Sequence, residues 1–542
     1  MARTLTKANA SAGFHAPAHQ PDTDALYRSL LFLSQSLEAC VHALRGVAPS
    51  RPGKGVTLVL QRSNSLKARP QPLRPLRVGH AKPARPGRPG RHPAFKKNET
   101  LNIHASARRF EAFCSVIAPF FDVARRNVSE HAHPYVAGLL SHCPRKNVER
   151  ICEVLPGTRF ENLQYFLSES PWEAAPLWKW VGLRAASILG GGEDNMLLLD
   201  ESCFTKKGDK SAGVKRQYNG RLGKLDNCQV GVFSALTCGD RVALAGARLY
   251  LPEDWVQDPQ RCKAAAIPES ERRFRTKPEL AWELVEQAHA DGVAFGWVGM
   301  DAVYGRDYGL LLKISRMGKT FVADVNHDQL AWTQEPVGPA RPKAVGESGG
   351  QRVDALWEKG RKTATQVTLR DGENGPVRVL FWSQRAWIWP AGSETALGVW
   401  LCVTERADGT VKYSFCNAGE GTSPEELARR QGQRYFVERA FEDAKSHLGM
   451  GQYQARRWRA WVHHMVLVGL AMVFTLEERE RVRSETPLTS VRDVVDLIAW
   501  YFEKDRTGVE VEEAIRARHK RREQAMISKR RKALQKSDVL TM

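Results

Sequence analysis

Met196-Leu197-Leu198-Leu199-Asp200 and Trp297-Val298-Gly299-Met300-Asp301 decide the fold class of this chain. Both are short apolar runs that end on a carboxylate. A strand buried on both faces reads as such a run, and its last residue is delivered to the edge of the sheet. A third stretch, Gln431 to Leu448, has helical spacing. At roughly 100° per residue, Arg434, Glu438 and Lys445 fall within about 40° of one another. Val437, Phe441, Ala444 and Leu448 form an apolar stripe beside them. Such a helix can pack on a core and still aim Glu438 toward the two aspartates. Three carboxylates flanked by cations point to metal-ion chemistry on a polyanion.

The surrounding strands support that picture. Val230–Leu236 and Val242–Leu251 read as strands following Met196–Asp200. Pro278–Ala290 reads as a helix, Phe295–Asp301 as a strand, Asp307–Met317 as a helix and Thr320–Val325 as a strand. Antiparallel strands that give way to alternating strands and helices predict an α/β sheet of ribonuclease-H type over 193–325 and 426–455. Between 326 and 425 the helical signal vanishes. Thr365–Leu369, Val377–Ser383, Gly398–Thr404 and Val411–Cys416 read as strands of an all-β insertion. That insertion carries Trp332, Trp357, Trp382, Trp387, Trp389 and Trp400. Most are expected in a core, with one or two available to stack on an unpaired base.

Helical regions flank this unit. In 101–192, Asn147–Leu155 and Phe160–Leu167 are amphipathic and separated by Pro156-Gly157. That pattern fits a helix-turn-helix DNA reader and equally a plain helical bundle. Residues 456–542 are helical and end in a basic tail; His463-His464 there read as core histidines. Residues 1–100 hold 17 Lys and Arg against 4 Asp and Glu, over half of the net charge of +21. Their Pro, Arg and Gly content, as in Arg85-Pro86-Gly87-Arg88, predicts a disordered arm. The overall charge and the pI near 9.6 suggest a nucleic-acid partner. The 10 cysteines show no Cys-x-x-Cys pair, which speaks against a zinc site or disulfide framework and fits a reducing cytoplasm. No apolar run reaches the roughly 18 residues a membrane span needs, so no membrane partner is expected.

Phosphodiester chemistry by paired metal ions needs carboxylates converging from separate elements. Asp200, Asp301 and Glu438 are the candidate metal-holding and catalytic residues, with Mg²⁺ as the expected ion and Mn²⁺ as a substitute. Lys206, Lys207, Lys215 and Arg216 follow Asp200 directly, where a DNA backbone would lie; Arg434 and Lys445 join them as candidate DNA contacts. Glu201 is expected to point away from Asp200 if the strand continues. Read as residues alone, Glu438 also fits an ordinary solvated helix face.

Longer runs carry a family likeness. Leu198-Leu199-Asp200-Glu201-Ser202, Lys206-Lys207-Gly208, Ser211-Ala212-Gly213-Val214 and Arg216-Gln217-Tyr218 are part of it. So are Gly223 through Val230, Leu249-Tyr250-Leu251-Pro252, Phe274-Arg275-Thr276-Lys277-Pro278 and Asp301-Ala302-Val303-Tyr304-Gly305. Together they resemble bacterial insertion-sequence transposases of the DDE type, nearest to the insertion sequence 701 family and related to the insertion sequence 4 group. The resemblance implies a Mg²⁺-dependent, cut-and-paste DNA transposase with a ribonuclease-H-like catalytic fold and a β insertion. It implies double-stranded DNA partners, both the transposon inverted repeats and the target. It also implies a homodimer in the DNA complex and a bacterial cytoplasmic setting. Asp200 and Asp301 fall on the family's two catalytic aspartates. Arg434, Glu438 and Lys445 match the last three members of a Tyr-Arg-Glu-Lys signature, and Gln431 stands at the tyrosine position. Glu442 is the competing third acid. A domesticated DNA-binding protein and a cellular nuclease of the same fold are the alternatives.

Overall fold

Met196 through Leu199 are fully buried because strand β1 (Met196–Thr205) lies inside a ten-stranded sheet and helices pack against it. The computed structural model describes residues 103–503 apart from 124–125, 221, 337–348, 373–374, 391–392 and 485–488, plus isolated positions near residue 530. The predicted arm 1–100 and the basic tail lie outside the described residues, apart from those isolated positions. Strand β2 (Lys215–Asn219) and the amino-terminal part of β3 (Lys224–Cys238) form a hairpin. β4 (Arg241–Leu249) pairs with the other part of β3, and β3 runs antiparallel to β1. On its other side β1 is parallel to β5 (Trp297–Met300), which is parallel to β6 (Thr320–Val325).

Parallel neighbours need crossovers, and helices supply them. A helix over Lys277–Ala290 connects β4 to β5 and packs on β1, β3 and β4. Its start is set by a capping box between Thr276 and Glu279 and by Pro278 in the first turn. Another over Tyr308–Arg316 connects β5 to β6. The order β4-β3-β1-β5-β6 therefore places Asp200 and Asp301 next to each other, where the parallel pairing of β1 with β5 stops.

The β-rich stretch after residue 326 continues this sheet. Strands β7 (Thr365–Gly372), β8 (Gly375–Ile388), β9 (Leu397–Glu405) and β10 (Val411–Cys416) form an antiparallel meander, and β10 pairs with β6. A helix over Val353–Gly360 also lies here, where no helical signal was read. It is short, and Val353, Leu356 and Trp357 give it a single buried face. Trp332, Trp357 and Trp389 are buried, whereas Trp382, Trp387 and Trp400 are half-buried.

The opposite sheet face is covered by helices. One over Tyr435–Ser446 and another over Trp458–Val482 pack against β4. The latter is long and apolar enough to cross a membrane by length and composition, but 89% of its apolar window is buried within the protein. Contiguous Met465 to Phe474 passes that test because the helix is enclosed by the sheet on one side and by other helices on the rest. The amino-terminal helices Ser129–Leu139 and Phe160–Ser168 lie on it. The predicted pair is present as Val148–Val154 and Phe160–Ser168, turned at Gly157 with φ +74°. His463 stacks on Trp172 at 3.6 Å, and both His463 and His464 are buried, as core histidines should be.

Candidate active site

Leu199 and Met300 are register partners, so the next residues, Asp200 and Asp301, stand side by side where β5 ends. β1 does not end at Asp200, as its apolar run suggests, but runs on to Thr205 paired with β3 alone. Asp200 Oδ1 accepts the Glu201 N–H at 2.7 Å. Asp301 caps the short helix Ala302–Gly305, accepting the Val303 N–H at 2.9 Å. Both line one cleft of about 1220 Å³ with Glu201, Lys277, Glu438, Glu442 and Lys445. Burial, and then the neighbouring charge of Asp301, push the Asp200 carboxyl up to about 8. Burial, and then Glu201, raise that of Asp301.

This has a stability consequence. In the cation-free protein Asp200 binds its proton more tightly folded than unfolded. Its contribution is full below the ordinary carboxylate value near ~4 and is lost as pH rises through about 8. Asp200→Asn should therefore gain stability over the wild type as pH rises through that window. Thermal melts in chelator at about pH 5 and about pH 9 measure it; an equal difference at both would remove the effect.

Glu438 enters the cleft from the helix Tyr435–Ser446, and its side chain is 55% exposed. Arg434 lies at the joint between that helix and the preceding one, Pro424–Gln433. Its side chain is 11% exposed, and its guanidinium meets three acids: Glu438 at 2.8 Å, Asp324 at 2.8 Å and Asp200 at 3.9 Å. The contact to Asp324 is an ion pair in which Nε is not directed as a hydrogen bond. Burial works against the Arg434 charge, but Asp324, Glu438 and Asp200 outweigh it. Lys445 lies 5.5 Å from the Phe441 ring and lines the cleft. Glu442 lines it too but pairs with Arg439. Gln431 is buried, and its amide donates to Ser414 Oγ at 2.7 Å.

The basic stretch divides. Lys207, Lys215 and Arg216 are exposed, Lys215 beside Asp254 at 3.1 Å. Lys206 turns inward instead, over the Tyr453 ring at 3.4 Å, and burial lowers its ammonium to about 7.

Five further residues bear on this site. Glu201 stands on the other side of β1 from Asp200, as alternation requires, but still reaches the cleft. It accepts from Lys277 Nζ at 2.6 Å and from Tyr304 OH at 2.8 Å. These contacts explain why Lys277 and Tyr304 sit in the quoted motifs. Gly305 follows because a Cβ there would stand 2.1 Å from the Asp324 carbonyl oxygen. Asp324 was legible only as an acid interrupting the apolar run Phe321–Val325.

The donors are all carboxylate oxygens, the type that suits a hard divalent cation. Burial first, and the neighbouring acids second, raise two of the carboxyls, and a cation would relieve the cost of charging them there. Among the described residues no three His, Cys, Asp or Glu already stand as a metal-holding group. Asp200 and Asp301 fit as a pair; Glu438 lines the same cleft but is engaged by Arg434.

Residues 119–386 match the model of a family described as DDE superfamily endonuclease. The match includes Asp200 and Asp301 and stops before Glu438. The chain is also 26% identical, over 340 residues, to a protein of Microchaete diplosiphon described as a probable transposase for insertion sequence element IS701. That alignment covers 62% of this chain and 78% of the relative. Among solved structures, a piggyBac transposase synaptic complex with hairpin DNA aligns over 77% of this chain and 82% of that one, at 10% identity and a TM-score of 0.36. The NurA nuclease from Sulfolobus solfataricus aligns over 44% and 73%, at 9% identity and a TM-score of 0.21. At such scores neither structure bears on the fold.

Proposed function

We infer that this chain, which carries a DDE superfamily endonuclease domain, is a DNA transposase that cuts at the ends of an insertion sequence and joins them to target DNA. The observation that carries the reading is the placement of Asp200 and Asp301 side by side on adjacent parallel strands, in one cleft with Glu438. The order β4-β3-β1-β5-β6 supports a ribonuclease-H-like catalytic core spanning 193–325 and 426–455, with 326–425 as its β extension. Asp200, Asp301 and Glu438 would hold Mg²⁺, or Mn²⁺ in its place. Such an ion supplies Lewis-acid activation of a nucleophile and stabilises the leaving oxygen.

The protein's own groups do the rest. Asp200 would have to give up its proton to serve as a ligand, since burial raises its carboxyl to about 8. Lys277 and Tyr304 hold the Glu201 carboxylate at the cleft from the far side of β1. Lys207, Lys215 and Arg216 stand on the exposed hairpin side and Lys445 on the cleft wall, where they meet phosphates. Arg434 faces a phosphate once Asp200 and Glu438 turn to the cation. Lys206 braces the loop through Tyr453 and reaches DNA only by leaving it. The helices of 101–192 form a second DNA-binding region. The working form is a homodimer on double-stranded DNA, inverted repeats and target, in the bacterial cytoplasm on the nucleoid.

The test is incubation of the purified chain with Mg²⁺ and duplexes carrying the inverted repeats that flank its gene. Cut ends and joined products are expected; neither forming would reject the reading. In the same system Lys207→Ala, Lys215→Ala and Arg216→Ala should each lower the salt slope of DNA binding by about one. An unchanged slope returns that residue to a solvated hairpin.

A further inference from the structure

Asp324 is a largely covered carboxylate that reaches the acids of the cleft only through Arg434, and neither paired ions nor DNA contact require it there. Ser414, its register partner on β10, donates to Oδ1 at 2.6 Å. Gln431 donates to Ser414 in turn, at 2.7 Å. The other carboxylate oxygen lies 2.8 Å from Arg434 Nε and 3.9 Å from Lys412 Nζ. A chain of contacts thus runs from Gln431 through Ser414 and Asp324 to Arg434. It ends on Glu438 and Asp200, two of the three acids proposed to take a cation.

Arg434 is therefore shared between an anchor that cannot move and two ligands that must. Its Nε side faces Asp324 on the sheet, while its terminal nitrogens face Glu438 and Asp200. Without the anchor, a guanidinium turns its full fork toward the remaining carboxylates and can hold one of them by two parallel hydrogen bonds. Each oxygen so held is an oxygen denied to a cation.

We propose that Asp324 is a positioning residue: it holds Arg434 to the sheet so that Glu438 and Asp200 can leave the guanidinium for a divalent cation. This rests on the metal-dependent reading of the cleft. It also gives Gln431 a role at the position where the family signature has tyrosine. Gln431 fixes the Ser414 hydroxyl that orients the anchor.

The experiment is Mn²⁺ binding to the full chain without DNA, followed by the electron paramagnetic resonance of free Mn²⁺. Asp324→Asn should weaken binding by roughly 5- to 150-fold, the usual range of coupling between two sites. Ser414→Ala, which changes no charge, should weaken it less and in the same direction. Arg434→Gln should tighten binding, and adding Asp324→Asn to it should cost nothing further. That last result separates an anchor from a carboxylate acting on the cation through its own charge.

Wild-type Mn²⁺ affinity in Asp324→Asn would overturn the proposal. So would an equal loss with and without Arg434. If Asp324→Asn fails to fold by circular dichroism, Ser414→Ala decides alone, and unchanged binding there overturns it. A wild-type chain that binds no Mn²⁺ removes the metal reading itself, and the proposal with it. Binding by the wild type that Asp324→Asn leaves intact removes only the anchor.

Discussion

Asp200→Asn, Asp301→Asn and Glu438→Gln should each abolish strand cleavage in Mg²⁺ while leaving binding to the element's ends nearly unchanged. The expected loss is about 10³-fold or more, since a missing ligand forfeits several kcal/mol of charge stabilisation. DNA affinity comes mainly from cations on phosphates, which these changes leave in place. For Asp200→Asn a folding defect is not the cause, because burial makes its charged form costly in the cation-free protein. Glu442→Gln is the control. Glu442 lines the same cleft but is exposed and paired with Arg439, so its loss should leave cleavage intact. An inactive Glu442→Gln beside an active Glu438→Gln would transfer the third ligand to Glu442. Near-normal cleavage by either aspartate variant would remove that residue from the site.

Phe233→Ala should cost ~3–5 kcal/mol of stability and reduce cleavage in protein that remains folded. Phe233 is the register partner of Asp200 and is fully buried. Its ring lies 5.5 Å from Phe441, 6.1 Å from Trp461 and 6.2 Å from Phe204, all as centroid separations. Phe441 is on the helix that carries Glu438, and Trp461 on the enclosed helix behind it. Removing the ring therefore opens a cavity at the seat of the helix that sets the distance between Glu438 and the aspartates. Chemical denaturation and Mg²⁺-dependent cleavage measure the two effects. Phe233→Leu, which keeps most of the volume, should recover most of both. Wild-type cleavage by a destabilised Phe233→Ala would show that the helix is seated by other contacts.

Much of this site is local in sequence. β1 and β5 are readable as buried strands because every residue before each aspartate is apolar, and a strand has few other ways to place such a run. The Glu438 helix is readable because its apolar and charged stripes separate at helical spacing. The crossover helices are marked by Thr276-Lys277-Pro278 and by Asp307, whose side chain caps Leu310. Strand β2 escaped because Lys215–Asn219 carries exposed charges and shows only one buried residue.

Periodicity tells which face a residue occupies and is silent about what lies opposite. Alternation placed Glu201 away from Asp200, and the structure keeps it on that side. Yet Lys277 and Tyr304, from two other elements, bring its carboxylate into the cleft. Lys206 and Lys207 are adjacent cations, but only the fold sends Lys206 onto Tyr453 and leaves Lys207 in solvent. The β-rich stretch reads as an insertion because its strands pair with one another. That β10 also pairs with β6 depends on which sheet edge is open when the chain returns. The same pairing sets Ser414 opposite Asp324 and so decides what holds Arg434. The sequence by itself determined where the apolar runs stop, the helical stripe and the acids they carry, because each is written in neighbouring residues. It did not determine the end of β1, which pairing with β3 carries on to Thr205. The partners of those acids were decided by tertiary structure alone, because hydrogen-bond reach is a few ångströms and only the register of distant strands brings such groups within it.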